Sequence, residues 1–441
     1  DWATMSATSA ARKPRVVRRR RRAGSHLLSE LPGLESAIQQ LPRNYNFEVV
    51  KSVSKCRELQ ATHVALQMPE GLLMYACVLS DILRAFGGEQ LRQVSVLGDV
   101  TYGACCIEDL GAKALGVDFL IHYGHSCLVP MQDVAVKTLY VFVEIKFDVK
   151  SAVGSLQQTF RGDSLEQIVP AWLLAKRPGA IEYEDGAAEQ QRKPLKVAVL
   201  GTIQFAAAVQ ELATRLREQG IVGSFPVSEV YMPQALPLSG GETLGCTSPT
   251  LTSDTDFFVF LADGRFHLEA VMIANPTIPA LRYDPYGKAL TWEGYDHTGM
   301  KATRKDAIDR ASTAKQWGII LGTLGRQGNP AILGHVKRRL RSLGLPNVTI
   351  LLSEVFPSKL KRFGTVDAFV QIACPRLSID WGAYFEKPVL NPYEFEVATG
   401  ACQWREVYPM DYYKKGSGPW TNYAHATREI EEAAAAAAAE A

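Results

Sequence analysis

The chain predicts an α/β protein: three similar parallel-sheet α/β domains arranged around a pseudo-threefold axis with a central site. Three observations predict it. A short apolar run headed by an aspartate occurs three times, at 117–124, 255–264 and 366–374. A second apolar run, which enters a turn and then a helical pattern, precedes each of them, at 62–69, 196–201 and 317–322. Strands that alternate with helices of about 10–15 residues mean βαβ units and a parallel sheet. Ligands in such sheets bind at the carboxyl ends of the strands, so three units around one axis would direct those ends at one place.

Each unit reads in the same order. The first spans 41–150, with strands at 62–69, 94–97, 117–124 and 139–143 and a helix at 72–86. The second spans 195–297, with strands at 196–201, 255–264 and 280–283 and a helix at 206–219. The third spans 298–415, with strands at 317–322, 348–352, 366–374 and 388–390 and a helix at 331–343. The strands are assigned because buried parallel strands read as near-continuous apolar runs. Residues 151–194 break the rhythm. They are rich in Gly, Gln and charge around 178–193 and read as an insertion and linker with a mobile loop.

The ends differ from the body. Arg12, Lys13, Arg15 and Arg18 to Arg22 give the segment 1–40 a basic character, and it reads as a largely disordered arm. The whole chain carries a net charge of +2, so the remainder is mildly acidic. The tail 416–441 ends in a low-complexity alanine run at 433–439. Apolar residues make up 47% of the 441 and charged residues 21%, which excludes disorder of the whole chain. No apolar run reaches the roughly 18 residues of a membrane span. The basic arm is not followed by the apolar segment of an export signal. A cytoplasmic protein is expected, with the arm leaving nuclear entry open. The body shows no basic stripe, so no direct nucleic-acid binding and no membrane contact are expected.

Eight cysteines in a chain this long are too dilute for a disulfide scaffold and read as thiols or ligands. There is no Cys-x-x-Cys spacing, which excludes a zinc ribbon and the common radical-cluster motif. Loops next to strands hold Cys105 and Cys106 in the first unit, Cys246 in the second and Cys374 in the third. One thiolate from each unit makes a tripod suited to three irons of a cubane cluster. Gly103, Ala104, Gly245 and Ala373 leave room for a bulky group. The alternative is that these are core residues, as read for Cys56, Cys77 and Cys402, since free cysteine is often buried. Cys127 stays ambiguous.

At these residues the chain resembles the diphthamide synthesis family. The resemblance rests on Ala65-Leu-Gln-Met-Pro-Glu-Gly71, Gly98-Asp-Val-Thr-Tyr-Gly-Ala-Cys-Cys106, His122-Tyr-Gly-His-Ser-Cys127, Asp263-Gly-Arg-Phe-His-Leu-Glu269, Gly322-Thr-Leu-Gly-Arg-Gln-Gly328 and Ala373-Cys-Pro-Arg-Leu-Ser-Ile-Asp-Trp-Gly382, with shorter matches at 45–48 and 282–286. It implies three α/β domains around a [4Fe–4S] cluster held by Cys105, Cys246 and Cys374. Cys105 is preferred to Cys106 from its place in the Tyr-Gly-Ala-Cys motif. It also implies a non-standard radical reaction in which S-adenosylmethionine gives up its 3-amino-3-carboxypropyl group, methylthioadenosine leaves, and the group joins C2 of a histidine in translation elongation factor 2. The implied partners are a paralogous second subunit and a small metal-binding electron-donor protein.

For the amino-acid end of that co-substrate, Arg265, Arg326 and Arg376 are candidate carboxylate forks, and Gln204 is a further polar candidate. His122, His125 and His267 are candidates for proton handling. Each has a structural alternative: a loop-shaping salt bridge, a helix cap, or a satisfied core histidine. Two rival functions stay open. One is a quinolinate synthase-like dehydratase, in which the open iron is a Lewis acid. The other is a non-catalytic subunit that supports a catalytic partner.

Overall fold

The computed structural model describes residues 28–161, 168–174, 194–220 and 227–422. The basic run at 12–22, the loop at 178–193 and the alanine run lie outside the described residues. The first sheet uses β2 (His63–Gln67), β3 (Gln93–Leu97), β4 (Phe119–Tyr123) and β5 (Lys137–Val141) in the order β3-β2-β4-β5, all parallel. Short β1 (Tyr45–Asn46) and β6 (Glu144–Ile145) pair antiparallel beside it. The second sheet holds β7 (Leu195–Gly201), β8 (Val227–Tyr231), β9 (Phe257–Leu261), β10 (Ala280–Asp284) and β11 (Ala289–Glu293), in the order β11-β10-β9-β7-β8. Only β11 in it is antiparallel. The third is β13-β12-β14-β15, from β12 (Trp317–Gly322), β13 (Asn347–Leu352), β14 (Ala368–Ile372) and β15 (Val389–Leu390), all parallel.

The same order recurs in all three sheets. The chain enters on an inner strand, crosses to an edge, and returns on the other side of the first strand. Each sheet therefore has a switch point between the strand it enters on and the one it returns on (β2 and β4, β7 and β9, β12 and β14), where ligands enter α/β sheets. All five residues of each of β4, β9 and β14 are buried.

The repeated aspartate has one physical role. Asp118 Oδ2 accepts from the backbone N–H of Thr62 at 2.8 Å. Asp256 Oδ2 accepts from that of Lys196 at 2.8 Å. Asp367 Oδ2 accepts from those of Lys315 and Gln316, both at 2.9 Å. Each carboxylate thus satisfies donors at the start of the neighbouring inner strand, and it sets the register of the pair in all three sheets.

Several expectations are corrected. The arm ends before residue 40: Leu34, in the short helix Leu34–Ile38, is fully buried in the first core beside Phe47 and Leu79. The segment expected as an insertion begins as the helix Val149–Thr159, whose Val149, Ala152, Val153 and Leu156 pack into the core of the second sheet. The C-terminal tail starts later than 416, because Trp420 and Thr421 are buried. Cys77 lies on the exposed face of the helix Ala76–Phe86, whereas Cys56 is buried in the first core. Strands β8 and β11 were not anticipated.

Candidate functional site

The sites of the cysteines differ in topology. Cys105 and Cys246 lie on the connections between the second and third strands of their units, whereas Cys374 directly follows the third strand, β14. Counting from the repeated aspartate, the position of Cys374 is taken by His125 in the first unit and Asp263 in the second. The three cysteines still converge. Cys246 belongs to an apolar core that also takes Ala104, Ile379, Tyr408, Met410, Tyr413 and Trp420, with Cys105 packed against it. That core draws on all three units and on the C-terminal segment.

Cys105 and Cys106 share a single turn, Ala104–Cys106. The Cys105 thiol hydrogen-bonds to Cys106; that bond, burial, and the sulfurs of Cys106, Cys246 and Cys374 hold it well above its ordinary pKa. The same bond draws Cys106 down to about 7, against burial, and Gln327 Nε2 donates to its Sγ at 3.3 Å. Burial and then Cys374 push Cys246 up to about 12. Burial pushes Cys374 up to about 11, opposed by Arg376. Neutral thiols in an apolar setting behave this way, and binding to a metal would deprotonate them.

The cysteine loops are tied together by backbone contacts. The Arg326 N–H donates to the Cys105 carbonyl at 2.8 Å. Gly325 has φ +54°, and a Cβ there would lie 2.4 Å from the Cys106 carbonyl carbon, so only glycine allows the loops of the first and third units to meet. The Tyr412 N–H donates to the Cys246 carbonyl, and the Tyr413 N–H to Thr247 Oγ1 at 2.9 Å. Burial and the four nearby sulfurs hold the Tyr413 phenol well above its ordinary value. This tyrosine was missed in the sequence, because nothing in its local pattern marks it.

The arginine candidates are engaged by the protein. Arg326 grips buried Asp109 with Nε at 2.8 Å and Nη2 at 2.7 Å. Arg265 pairs with Glu293 and donates to the Gly294 carbonyl at 2.8 Å. Arg376, 2% exposed, pairs with Asp380 at 2.9 Å and Glu269 at 2.5 Å, and donates to the carbonyls of Phe266 and Gly245. Gln204 Nε2 donates to the Gly124 carbonyl. In this arrangement all four are engaged by the protein, Arg326 and Arg376 on the cysteine loops, and none presents an empty fork.

The histidines gather beside the same loops. His122 and His125 have ring centroids 5.4 Å apart. Burial holds His122 and His267 down to about 4. Burial, then His122 and His267, hold His125 well below its ordinary value. All three are therefore neutral imidazoles near neutral pH.

Among the described residues, no three His, Cys, Asp or Glu side chains converge tightly enough for a single metal ion. A cubane cluster makes a different demand, since each thiolate binds its own iron at a separate corner. Three sulfurs that feel one another across an apolar core with small neighbours fit that demand; a compact tetrahedral ion site they do not fit.

Residues 68–170 and 181–409 match the family of diphthamide synthesis proteins. Relatives that carry the name 2-(3-amino-3-carboxypropyl)histidine synthase subunit 1 include the mouse, chicken and human proteins. The mouse protein is 51% identical over 397 residues, 89% of this chain and 81% of its own length. The chicken protein is 49% identical over 430 residues, 97% of this chain and 94% of its own. The human protein is 50% identical over 393 residues, 88% of this chain and 80% of its own. Among solved structures, the crystal structure of Dph2 from Pyrococcus horikoshii with a 4Fe–4S cluster is similar with a TM-score of 0.61 and 25% identity. The match covers 85% of this chain and 97% of that one.

Proposed function

This chain belongs to the diphthamide synthesis family and takes part in diphthamide synthesis, and from that premise we propose that it is the cluster-bearing catalytic subunit of a two-subunit synthase. The co-substrate is S-adenosylmethionine, and the acceptor is C2 of a histidine in translation elongation factor 2. In the net reaction the bond from Cγ to the sulfonium breaks and the bond from Cγ to C2 forms. Methylthioadenosine leaves, and the C2 hydrogen departs as a proton.

Cys105, Cys246 and Cys374, set between three domains around a pseudo-threefold axis, would hold a [4Fe–4S] cluster, which would lend the electron that opens the sulfonium and take one back as the C2 proton leaves, so the net reaction needs no oxidant. The chain's own residues do the rest. The apolar core around Cys246 excludes water from the reacting end. The loops tied by Arg326 and Arg376 fix where the thiolates stand. Which carbon–sulfur bond breaks is decided by which carbon is held toward the centre, so orientation of the co-substrate selects the product.

The observation that carries this reading is the closeness of the sulfurs of Cys105, Cys246 and Cys374, which come from three sheets, with Cys246 and Cys105 on an apolar core that the C-terminal segment closes. The test is anaerobic reconstitution of the chain with its second subunit. We expect about four irons and four sulfides per chain, on a cubane assumption. With a reductant and elongation factor 2 we expect methylthioadenosine and an elongation factor heavier by one aminocarboxypropyl group. Zinc without sulfide, or 5′-deoxyadenosine as the main product, would overturn it. Full iron on this chain with all turnover dependent on cysteines of the partner would instead favour a supporting role.

A further inference from the structure

The end of β4 and the turn after it hold three shielded polar atoms without a protein partner: His122 Nε2, His125 Nδ1 and Ser126 Oγ. Native proteins leave few such groups, and each calls for a ligand or an ordered water. His122 is fully buried and Ser126 is 6% exposed.

The tautomer of His122 follows from its neighbours. Gln67 Nε2 donates to the Cys106 carbonyl at 2.8 Å. Gln67 Oε1 accepts from the Glu108 N–H at 3.0 Å. These two bonds fix the amide: turned over, it would set a donor against a donor and an acceptor against an acceptor. Oε1 therefore faces His122 Nδ1, 2.9 Å away, so Nδ1 carries the proton. Nε2 is left as a bare lone pair in the interior, and only a donor can satisfy it.

The turn borders the cysteine site on several sides. Gln67 links His122 to the Cys106 carbonyl. Leu128 packs in the same core as Cys246 and Ala104. His125 holds the position in the first unit that Cys374 holds in the third, and the Gly124 carbonyl before it is gripped by Gln204 of the second unit. The arginines nearby are already paired, so a zwitterion entering here meets hydroxyl and imidazole groups.

We propose that His122, His125 and Ser126 form the pocket for the α-amino-acid end of the sulfonium co-substrate. His122 Nε2 accepts from its α-ammonium, His125 Nδ1 offers a second polar contact, and the Ser126 hydroxyl donates to its carboxylate. His122 is then a fixed acceptor that orients the group, in place of the proton transfer considered from the sequence. The inference rests on S-adenosylmethionine being the co-substrate.

Two measurements on the full-length two-subunit protein test it. The first is the histidine ring ¹⁵N pattern of the ligand-free protein. We expect the His122 signal of an Nδ1–H ring with bare Nε2; an Nε2–H ring would overturn the assignment. The second compares equilibrium binding of S-adenosylmethionine with that of methylthioadenosine, which lacks the amino-acid end. His122→Phe keeps the ring packing and should weaken S-adenosylmethionine about ten- to a hundredfold, the scale of a hydrogen bond to a charged group, with methylthioadenosine unchanged. Equal affinity of wild type and variant for S-adenosylmethionine would overturn the pocket and leave the turn holding ordered water. If wild type itself binds no S-adenosylmethionine, the co-substrate reading falls and the pocket with it. If His122→Phe loses both ligands alike, Ser126→Ala decides by the same comparison: selective loss of S-adenosylmethionine supports the pocket, and no selective loss rejects it.

Discussion

The Arg376 guanidinium, two residues past Cys374, donates to the carbonyl of Gly245, the residue before Cys246, at 3.3 Å. One side chain thus binds the loops of two cysteines from different units. It also lies over the Phe266 ring, 4.4 Å from its centroid, and a Cβ on Gly245 would fall 2.0 Å from that ring. Arginine, aromatic ring and glycine form one packed joint.

Arg376→Met should break that joint. Glu269 and Asp380 would lose the buried cation that they share; both carboxylates keep part of their side chain in solvent, so the cost falls below the roughly 3–5 kcal/mol of a fully buried pair. We expect a lower thermal midpoint and reduced iron after reconstitution, with Arg376→Lys intermediate. If stability and iron hold while the KM for S-adenosylmethionine rises, Arg376 is a substrate fork and not a positioning residue.

The cysteines should act as a unit. Cys105→Ala, Cys246→Ala and Cys374→Ala should each remove most cluster iron, and the triple variant should do little more, because ligands of one centre are not additive. Cys106→Ala should lose iron in part, since Cys106 accepts from Gln327 and adjoins Cys105. Cys77→Ala, on an exposed helix face, should change nothing. Iron and sulfide analysis of each variant is the check. Loss of the centre in Cys106→Ala with retention in Cys105→Ala would move the ligand by one residue.

The inner strands of the sheets were legible because β4, β9 and β14 are buried on both faces and read as unbroken apolar runs. Strand β8 was not: of Val227–Tyr231 only Val230 is buried, and an edge strand facing water has no such run. The helix Val149–Thr159 was hidden by Gly154 and its glutamines, and tertiary burial of its Val and Leu face overrides that composition. At the site, the cysteines announced themselves by their glycine and alanine neighbours. Gln327 and Tyr413 did not, because their roles exist only through contacts distant in sequence: Gln327 lies 221 residues from Cys106. The paired state of the arginines was equally invisible, since Asp109 and Arg326 are 217 residues apart.

The aspartate clamp of the third sheet predicts a pH-dependent contribution. The backbone N–H groups of Gln316 and then Lys315 hold Asp367 below its ordinary carboxyl value. A carboxyl whose folded pKa is depressed stabilises the fold above its unfolded value near 3.8, and that stabilisation is lost as pH falls through the folded value. Asp367→Ala should therefore lower the thermal midpoint at pH 7, by an amount equivalent to about 1 kcal/mol for lost bonds to backbone donors. The gap between wild type and variant should close as pH falls through the folded value. A gap of the same size in acid would mean that the aspartate acts through packing and not through its charge.

Gly325 offers a test that leaves every thiol in place. Its φ of +54° disfavours any side chain, and its Cβ position lies 2.4 Å from the carbonyl carbon and 2.6 Å from the Cα of Cys106. Backbone cannot yield as a flexible side chain can, so Gly325→Ala must push the 322–328 loop away from the Cys105–Cys106 turn. That movement would stretch the bond from the Arg326 N–H to the Cys105 carbonyl, now 2.8 Å, and the contact of Gln327 with Cys106. Overpacking of this kind costs about 1–3 kcal/mol, with roughly a further 1–2 kcal/mol for alanine at positive φ. We expect a lower thermal midpoint and a centre that takes up less iron or loses it faster in air, although Cys105, Cys246 and Cys374 are all present. Gly364→Ala is the matched control, because nothing lies within 4 Å of its Cβ position and its φ is not positive. It should behave as wild type. Equal iron retention in the two variants would mean that the third unit's loop does not position the first unit's cysteines.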